Sequence, residues 1–274
     1  MYKTKLRYLK VILFFSSLLM FFSSCEDIFQ YSPNEIDLKE DEKDLNRKNI
    51  DKILSEPAKD TLRFLFIADT HHEYEYLDEF VSIANGINDI SFVIVAGDIT
   101  NFGMQFEYRA TNDLLKKLKM PYVVAVGNHD LLGNGGAVFN EMFGKMDFSF
   151  NLHGNKFIFI NTNSREYNFN GKVPDIDWLY NELRETNTYN KAFITGHVSP
   201  FDSDFDSNLE TKYVNAINKT GKVKISMHGH SHSHYLGHYY NNGVDVLICS
   251  DVHSREYILC KVWDDGHTIE TKIF

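Results

Sequence analysis

Seven residues able to bind a metal ion fall at five places along the chain: Asp69 with His71, Asp98, Asn128, His197, and His230 with His232. Imidazoles, carboxylates and one amide oxygen, with no cysteine among them, suit Mn, Fe or Zn better than Ca or a thiolate-bound structural zinc. Seven donors are too many for one catalytic ion that keeps open positions, and they suit two ions sharing a bridge. Two-metal sites stabilise both the attacking and the leaving oxygen of an in-line phosphoryl displacement, and they lower the pKa of a bound water. Within the pairs Asp69/His71 and His230/His232 the spacing of two would put both side chains on one side of an extended chain.

Donors so far apart in sequence meet only if the elements carrying them are aligned. Leu62 to Ala68, Phe92 to Ala96 and Tyr122 to Val126 read as buried strands, each short and rich in β-branched or aromatic residues. Tyr76 to Asn88 has helical spacing and Phe106 to Lys119 is an amphipathic helix. Polar clusters recur after these strands roughly every thirty residues, the length of a βαβ crossover, which predicts three parallel strands with their clusters on one edge. Gly127 ends the third strand and would let the backbone turn so that Asn128, His129 and Asp130 project from it. In open α/β sheets ligands bind at such carboxyl ends.

Beyond Asp130 the pattern loosens. Leu131 to Gly136 reads as a glycine-rich loop, Phe148 to Phe150 and Phe157 to Asn161 as paired strands, and Asp175 to Glu185 as a helix. A strand Ala192 to Thr195 leads into Gly196-His197, a helix spans Asn208 to Lys219, and a strand Val223 to Met227 runs into His228 to His232. The remainder is hairpin-rich: Tyr235 to Tyr240, the turn Asn241-Asn242-Gly243, Val244 to Ser250, Tyr257 to Trp263 and Thr268 to Phe274. The fold class expected is α/β, with two packed mixed sheets flanked by helices.

The series Asp69-x-His71, Gly97-Asp98, Gly127-Asn128-His129-Asp130, Gly196-His197 and Gly229-His230-x-His232 resembles, in order and spacing, the five motifs of the calcineurin-like metallophosphoesterase family, over about residues 61–235. The resemblance implies a four-layer α/β/β/α fold and hydrolysis of a phosphomonoester or phosphodiester by a metal-activated hydroxide. It also implies roles: Asp69, His71 and His232 on one metal, Asn128, His197 and His230 on the other, and Asp98 bridging. His129 would assist the leaving oxygen, and Asp130 would orient His129 by accepting its other N–H. In detail the motifs look most like the branch holding cyclic-nucleotide phosphodiesterases. Val198-Ser199-Pro200 departs from that branch, where a second histidine often follows, so contacts on the substrate side stay unassigned. A rival reading is a surface lipoprotein that keeps the site only to capture a phosphorylated ligand.

The chain has 274 residues and a formal charge of −10, enough for a real core. Lys3, Lys5, Arg7 and Lys10 precede an apolar run from Val11 to Phe22, then Ser23-Ser24-Cys25. The run is too short to span a bilayer and has the size of a signal-peptide core. Its end resembles the lipobox of bacterial lipoproteins, so residues 1–24 are expected to be a leader and Cys25 the lipidated anchor. A plain secretory leader or an uncleaved anchor shares the same basic start. Glu26-Asp27 resembles a surface-export signal, and a solvated linker would look the same. The location expected is the bacterial cell envelope, at the outer membrane or the cell surface, which argues against cytoplasmic cyclic-nucleotide signalling.

Removing residues 1–24 moves the formal charge from −10 to −14, which disfavours a nucleic-acid polymer as partner but not a small phosphorylated substrate neutralised by metal ions. Residues 25–60 read as a polar tether carrying a short helix near Leu45 to Leu54, with the catalytic domain spanning 61–274. Cys249 and Cys260 read as two buried thiols before a disulfide, which an exported protein could also form. Of the other polar residues, His72 reads as exposed or supporting. Asn101 could touch substrate or form a turn, and Arg165 could clamp a phosphate or form a surface ion pair. His228 and His234 read as structurally satisfied before substrate-facing, and His153, His238, His253 and His267 as surface or hairpin residues. The abundant Phe and Tyr read as core packing.

Overall fold

Strand alternation decides the layering. In β1 (Leu62–Ile67) the side chains of Phe64 and Phe66 face one way and those of Leu65 and Ile67 the other, and each set joins a different buried cluster. A computed structural model describes Tyr8, residues 35–238 and residues 244–274. Within it Ile36–Phe274 forms one compact unit. The expected leader, Cys25 and the first part of the expected tether lie outside the described residues, as does the turn at Asn241-Asn242-Gly243. Among the described residues no helix is long and apolar enough to cross a membrane.

The first sheet has the order β11-β10-β1-β2-β3, from β2 (Phe92–Ala96), β3 (Tyr122–Ala125), β10 (Glu256–Trp263) and β11 (Gly266–Ile273). As the thirty-residue spacing predicts, β1, β2 and β3 are parallel, while β10 joins β1 antiparallel. The second sheet runs β4-β5-β6-β7-β9-β8, from β4 (Phe148–Leu152), β5 (Asn155–Phe159), β6 (Lys191–Thr195), β7 (Val223–His228), β8 (Tyr235–Gly237) and β9 (Asp245–Ile248). Its central strands β5, β6, β7 and β9 are parallel and its edge pairs antiparallel.

Between the sheets lies an aromatic core. Phe64 stacks on Phe92 at 5.2 Å, and Phe157 meets both rings edge-on, in arrangements that suit the ring quadrupole. The buried thiols Cys249 and Cys260 belong to this layer and form no disulfide. The outer face of the first sheet is covered by α2 (Tyr74–Gly86), α3 (Gln105–Leu115) and α4 (Gly135–Met142), through Leu77, Phe80, Tyr108 and Phe139. The outer face of the second is covered by α5 (Ile176–Arg184) and α6 (Ser207–Asn218), through Leu179, Leu183, Leu209 and Tyr213. The result is the four-layer α/β/β/α arrangement.

Two expectations need correction. The segment from Ile36 onward is not a free tether: α1 (Leu45–Ser55) packs on β3, the edge strand of the first sheet. The Asn46 side chain accepts the Val124 N–H and donates to the Val124 carbonyl, both at 2.8 Å, and so satisfies an exposed sheet edge as another strand would. Ile53 enters the inter-sheet core and Arg109 on α3 pairs with Glu42 at 2.9 Å. The stretch read as a glycine-rich loop also turns into α4 at Gly135. Gly135 packs tightly on Gly103, and a Cβ there would stand 2.3 Å from the Asp130 carbonyl oxygen, so close packing overrides weak helix propensity.

Candidate metal centre

Five strands end at one place. Asp69 follows β1, Asp98 follows β2, Asn128 follows β3, His197 follows β6 and His230 follows β7. The parallel order of each sheet brings these carboxyl ends to a common edge, and the two packed sheets bring the edges together. All seven expected donors meet there. Asp69, His71 and His232 form one group with converging ligand atoms, and Asp98, His197 and His230 form a second. Asn128 joins the second group, with its Oδ1 3.0 Å from His197 Nε2 and 2.9 Å from His230 Nδ1. Asp98 stands between the groups, its Oδ2 3.2 Å from His197 Nε2 and 3.7 Å from His71 Nε2.

The paired donors converge by a route that extended-chain alternation does not provide. Asp69, His71, Asp98, His230 and His232 all have left-handed backbone, with φ of 52°, 41°, 52°, 72° and 52°. Such conformations cost non-glycine residues energy and collect at functional sites. Gly127 also acts differently from expectation, since its φ is not positive. A Cβ there would lie 2.1 Å from the Asp98 N and Oδ1 atoms, so its role is to let the Asp98 and Asn128 loops touch.

Each of the four imidazoles shows one nitrogen to the centre and the other to an acceptor. His197 Nδ1 meets the Ala96 carbonyl at 2.7 Å and His71 Nδ1 the Thr100 carbonyl at 3.3 Å. His230 Nε2 lies 3.6 Å from Asp202 and 3.5 Å from Asp204, and His232 Nδ1 lies 3.5 Å from Asp251. A neutral imidazole has one N–H, so an acceptor behind the ring leaves a lone pair facing inward. The inner nitrogens then face each other and carboxylate oxygens at short range, His71 Nε2 and His232 Nε2 being 3.3 Å apart. Acceptors packed this way need cations between them, and the donor set fits metal ions.

The same carboxylates bear on proton affinity at the centre. Burial alone would lower His197, but the Asp98 and Asp69 carboxylates beside it raise it to about 10. Burial would raise Asp98, and the His197 charge facing it brings it down to about 2. His71 and His230 are lowered, chiefly by burial.

The orientation expected for His129 is corrected. Asp130 does not receive its ring N–H. His129 Nδ1 meets the Asn101 carbonyl at 2.8 Å, and its backbone N–H donates to Asp98 Oδ1 at 2.8 Å. Asp130 is fully buried behind the site, where Oδ1 accepts the Thr100 N–H and hydroxyl and Oδ2 accepts the Gly127 N–H. A carboxylate three residues past Gly127 reaches back to its own turn more easily than to the neighbouring ring. It therefore ties the β2 and β3 loops together. Burial, then the Asp98 charge, raises it to about 7 against those hydrogen bonds.

Other sequence candidates sort themselves by contact. His72 Nε2 pairs with the buried Glu107, whose carboxylate also accepts the N–H groups of Asn101, Phe102 and Met104. Glu107 thus holds the loop that orients His129. The sequence signal for it was an acidic residue in the first turn of α3. Asn101 contributes its carbonyl to His129 and its amide to His72, at 3.0 Å. Arg165 is committed to Asp204 at 2.9 Å. His228 is buried in a chain with Ser226 and Tyr213 and pushed down to about 3 by burial, while His234 pairs with Glu256 at 2.9 Å. Asp202, Asp204 and Asp251 were not anticipated. Asp202 and Asp204 follow the His197 motif closely but face His230, and Asp251 lies well past His232, so each reaches its histidine only through the fold. His253, read as a surface or hairpin residue, is exposed at the cleft wall.

That cleft has a volume of about 490 Å³ and is lined by Asp69, His71, His129 and His232 alongside Asn101 and Phe102. A larger cavity of about 580 Å³, lined by residues of α5 and α6 such as Tyr180 and Lys212, contains none of the seven donors.

Fold and donor set together define a class of α/β/β/α proteins with a candidate metal centre where the sheet edges meet. Residues 62–234 match the model for calcineurin-like phosphoesterases, and the chain belongs to that family. A probable cyclic nucleotide phosphodiesterase of Xenorhabdus bovienii is 34% identical over 70 residues, a stretch covering 26% of this chain and 28% of that relative. A dimetal phosphatase from Danio rerio has a similar fold, with a TM-score of 0.64 and 12% identity over 77% of this chain and 96% of its own. So does GAP50, described as the anchor in the inner membrane complex of Plasmodium, with a TM-score of 0.59 and 14% identity over 78% of this chain and 85% of its own.

Proposed function

We propose that the protein is a dinuclear-metal hydrolase cleaving a phosphomonoester or phosphodiester bond of a small substrate, with Mn, Fe or Zn as its ions. The observation that carries this reading is the set of inward-facing acceptors in two groups joined by Asp98, at the floor of a cleft that also exposes His129. Asp69, His71 and His232 would hold one ion, Asn128, His197 and His230 the other, and Asp98 both. Bound there, the ions supply positive charge opposite the phosphate oxygens and make water a stronger acid.

The chain's own contribution is positional. The Asn101 carbonyl holds Nδ1–H of His129, so in its imidazolium form the ring would carry its second proton on Nε2 and give it to the leaving oxygen, becoming neutral. Asp98 fixes the His129 backbone relative to the centre. Glu107 and Asp130 immobilise the loops on either side. The cyclic-nucleotide likeness of the motifs and of one relative favours a diester among the candidate substrates.

Full-length protein stripped of metal and reloaded with Mn2+ or Zn2+ should hydrolyse p-nitrophenyl phosphate, bis(p-nitrophenyl) phosphate or both, and Asp98→Asn should abolish the activity. Metal-loaded protein that turns over neither compound would favour the rival reading of a ligand-capturing lipoprotein. Lipidation at Cys25 would hold the activity at the bacterial envelope. Incorporation of labelled palmitate that persists in Cys25→Ala would sink that part of the proposal.

A further inference from the structure

Asp251 lies beyond the segment that the family model matches, just after β9, yet it stands directly behind the centre. Ala68 pairs with Asp251 in a lone parallel bridge, and the Val252 N–H points to the Asp69 carbonyl at 3.4 Å. One residue earlier, the Ser250 hydroxyl donates to the His232 carbonyl at 3.0 Å. Residues 250–252 thus grip the backbones of two donors of the same group.

The two oxygens of Asp251 divide their work. Oδ1 accepts the N–H of Ser254 at 3.0 Å and its hydroxyl at 2.6 Å, capping the short turn that follows. Oδ2 lies 3.5 Å from His232 Nδ1. We infer that Asp251 is a positioning residue for the metal centre: it keeps the proton of His232 on Nδ1 and so presents Nε2 to the ion held with Asp69 and His71. The inference rests on the metal-binding reading above.

His232 needs such a partner more than the other histidines do. Its side chain is 45% exposed, against 0% for His197, 14% for His71 and 18% for His230, so packing alone does not set its ring. A carboxylate behind a ligating imidazole fixes both tautomer and orientation, and its loss typically costs 10- to 100-fold in metal affinity.

Asp251→Asn separates the two roles. The amide oxygen can still cap Ser254, while its NH2 group turns toward Nδ1–H and sets donor against donor. Mn2+ titration of the metal-free full-length protein by calorimetry, with bound metal counted, should show one site weakened roughly 10- to 100-fold and the other unchanged. The melting temperature of the metal-free protein should stay the same. Ser254→Ala, which removes a capping hydroxyl and leaves Oδ2 alone, should bind Mn2+ like wild type. Unchanged affinity in Asp251→Asn, or an equal loss in Ser254→Ala, would overturn the inference by reducing Asp251 to a turn former. A wild-type chain that binds no Mn2+ would overturn the hydrolase reading and this inference with it.

Discussion

Asp98 is hydrogen-bonded to the backbone of His129 through Oδ1, at 2.8 Å, while its Oδ2 stands 3.2 Å from His197 Nε2. One carboxylate therefore links the residue proposed to assist the leaving group to the place where the ions would sit. The link runs through His129's main chain, so replacing the His129 side chain leaves it intact. Charge placement at the centre and proton delivery become separable by mutation.

His129→Asn should accordingly retain full metal content while kcat falls by about 10²–10⁴-fold, the usual worth of a positioned general acid. Metal analysis beside steady-state kinetics checks both halves. A variant with wild-type kcat would remove His129 from the chemistry.

Gly127→Ala tests the contact between loops. A Cβ at this position meets Asp98 at 2.1 Å, and the atoms it meets are backbone and a buried carboxylate that cannot swing away. The expected cost is on the order of 3 kcal/mol or more, as for other overpacked sites, with metal uptake reduced in parallel. A melting temperature within about 2 °C of wild type would show that the loops can part.

Asp147 offers a pH signature away from the metal centre. Burial raises its carboxyl from 3.8 to about 6, against the hydrogen bond it accepts from the Asn161 N–H at 2.7 Å. The folded state then holds the proton more tightly than the unfolded chain. This group's contribution to stability is fully present below pH 3.8 and is lost as pH rises through about 6. Asp147→Asn keeps an oxygen for Asn161 and carries no charge. It should match wild type near pH 4 and exceed it at pH 8 by up to about 3 kcal/mol, read from urea denaturation at the two pH values. Equal stability at both would refute the shift.

The site was legible because its chemistry is local. Asp69, His71, Asp98, Asn128, His197, His230 and His232 each directly follow or closely trail a β-branched or aromatic run, and a strand that ends in a polar cluster can be read without its partners. The regular spacing of the first three clusters also implied parallel strands, and β1, β2 and β3 are parallel. The fate of Asp130 was less legible. A motif records which residues are neighbours in the chain, whereas which N–H a carboxylate accepts depends on the path of the loop, and that loop takes Asp130 back to Gly127 and across to Thr100.

By itself, then, the sequence determined the donor types, their order along the chain and the strands that end in them, because strand periodicity and residue chemistry are properties of short stretches. Only the tertiary structure decided which pairs of distant residues would meet. It placed Asn46 against the edge of β3, turning an apparent tether into part of the domain, and added β10 and β11 to the first sheet. It brought Asp202 and Asp204 to His230, and Asp251 to His232. Contacts of that kind are set by how two sheets pack and where their loops return, and nothing in the composition of either partner announces them.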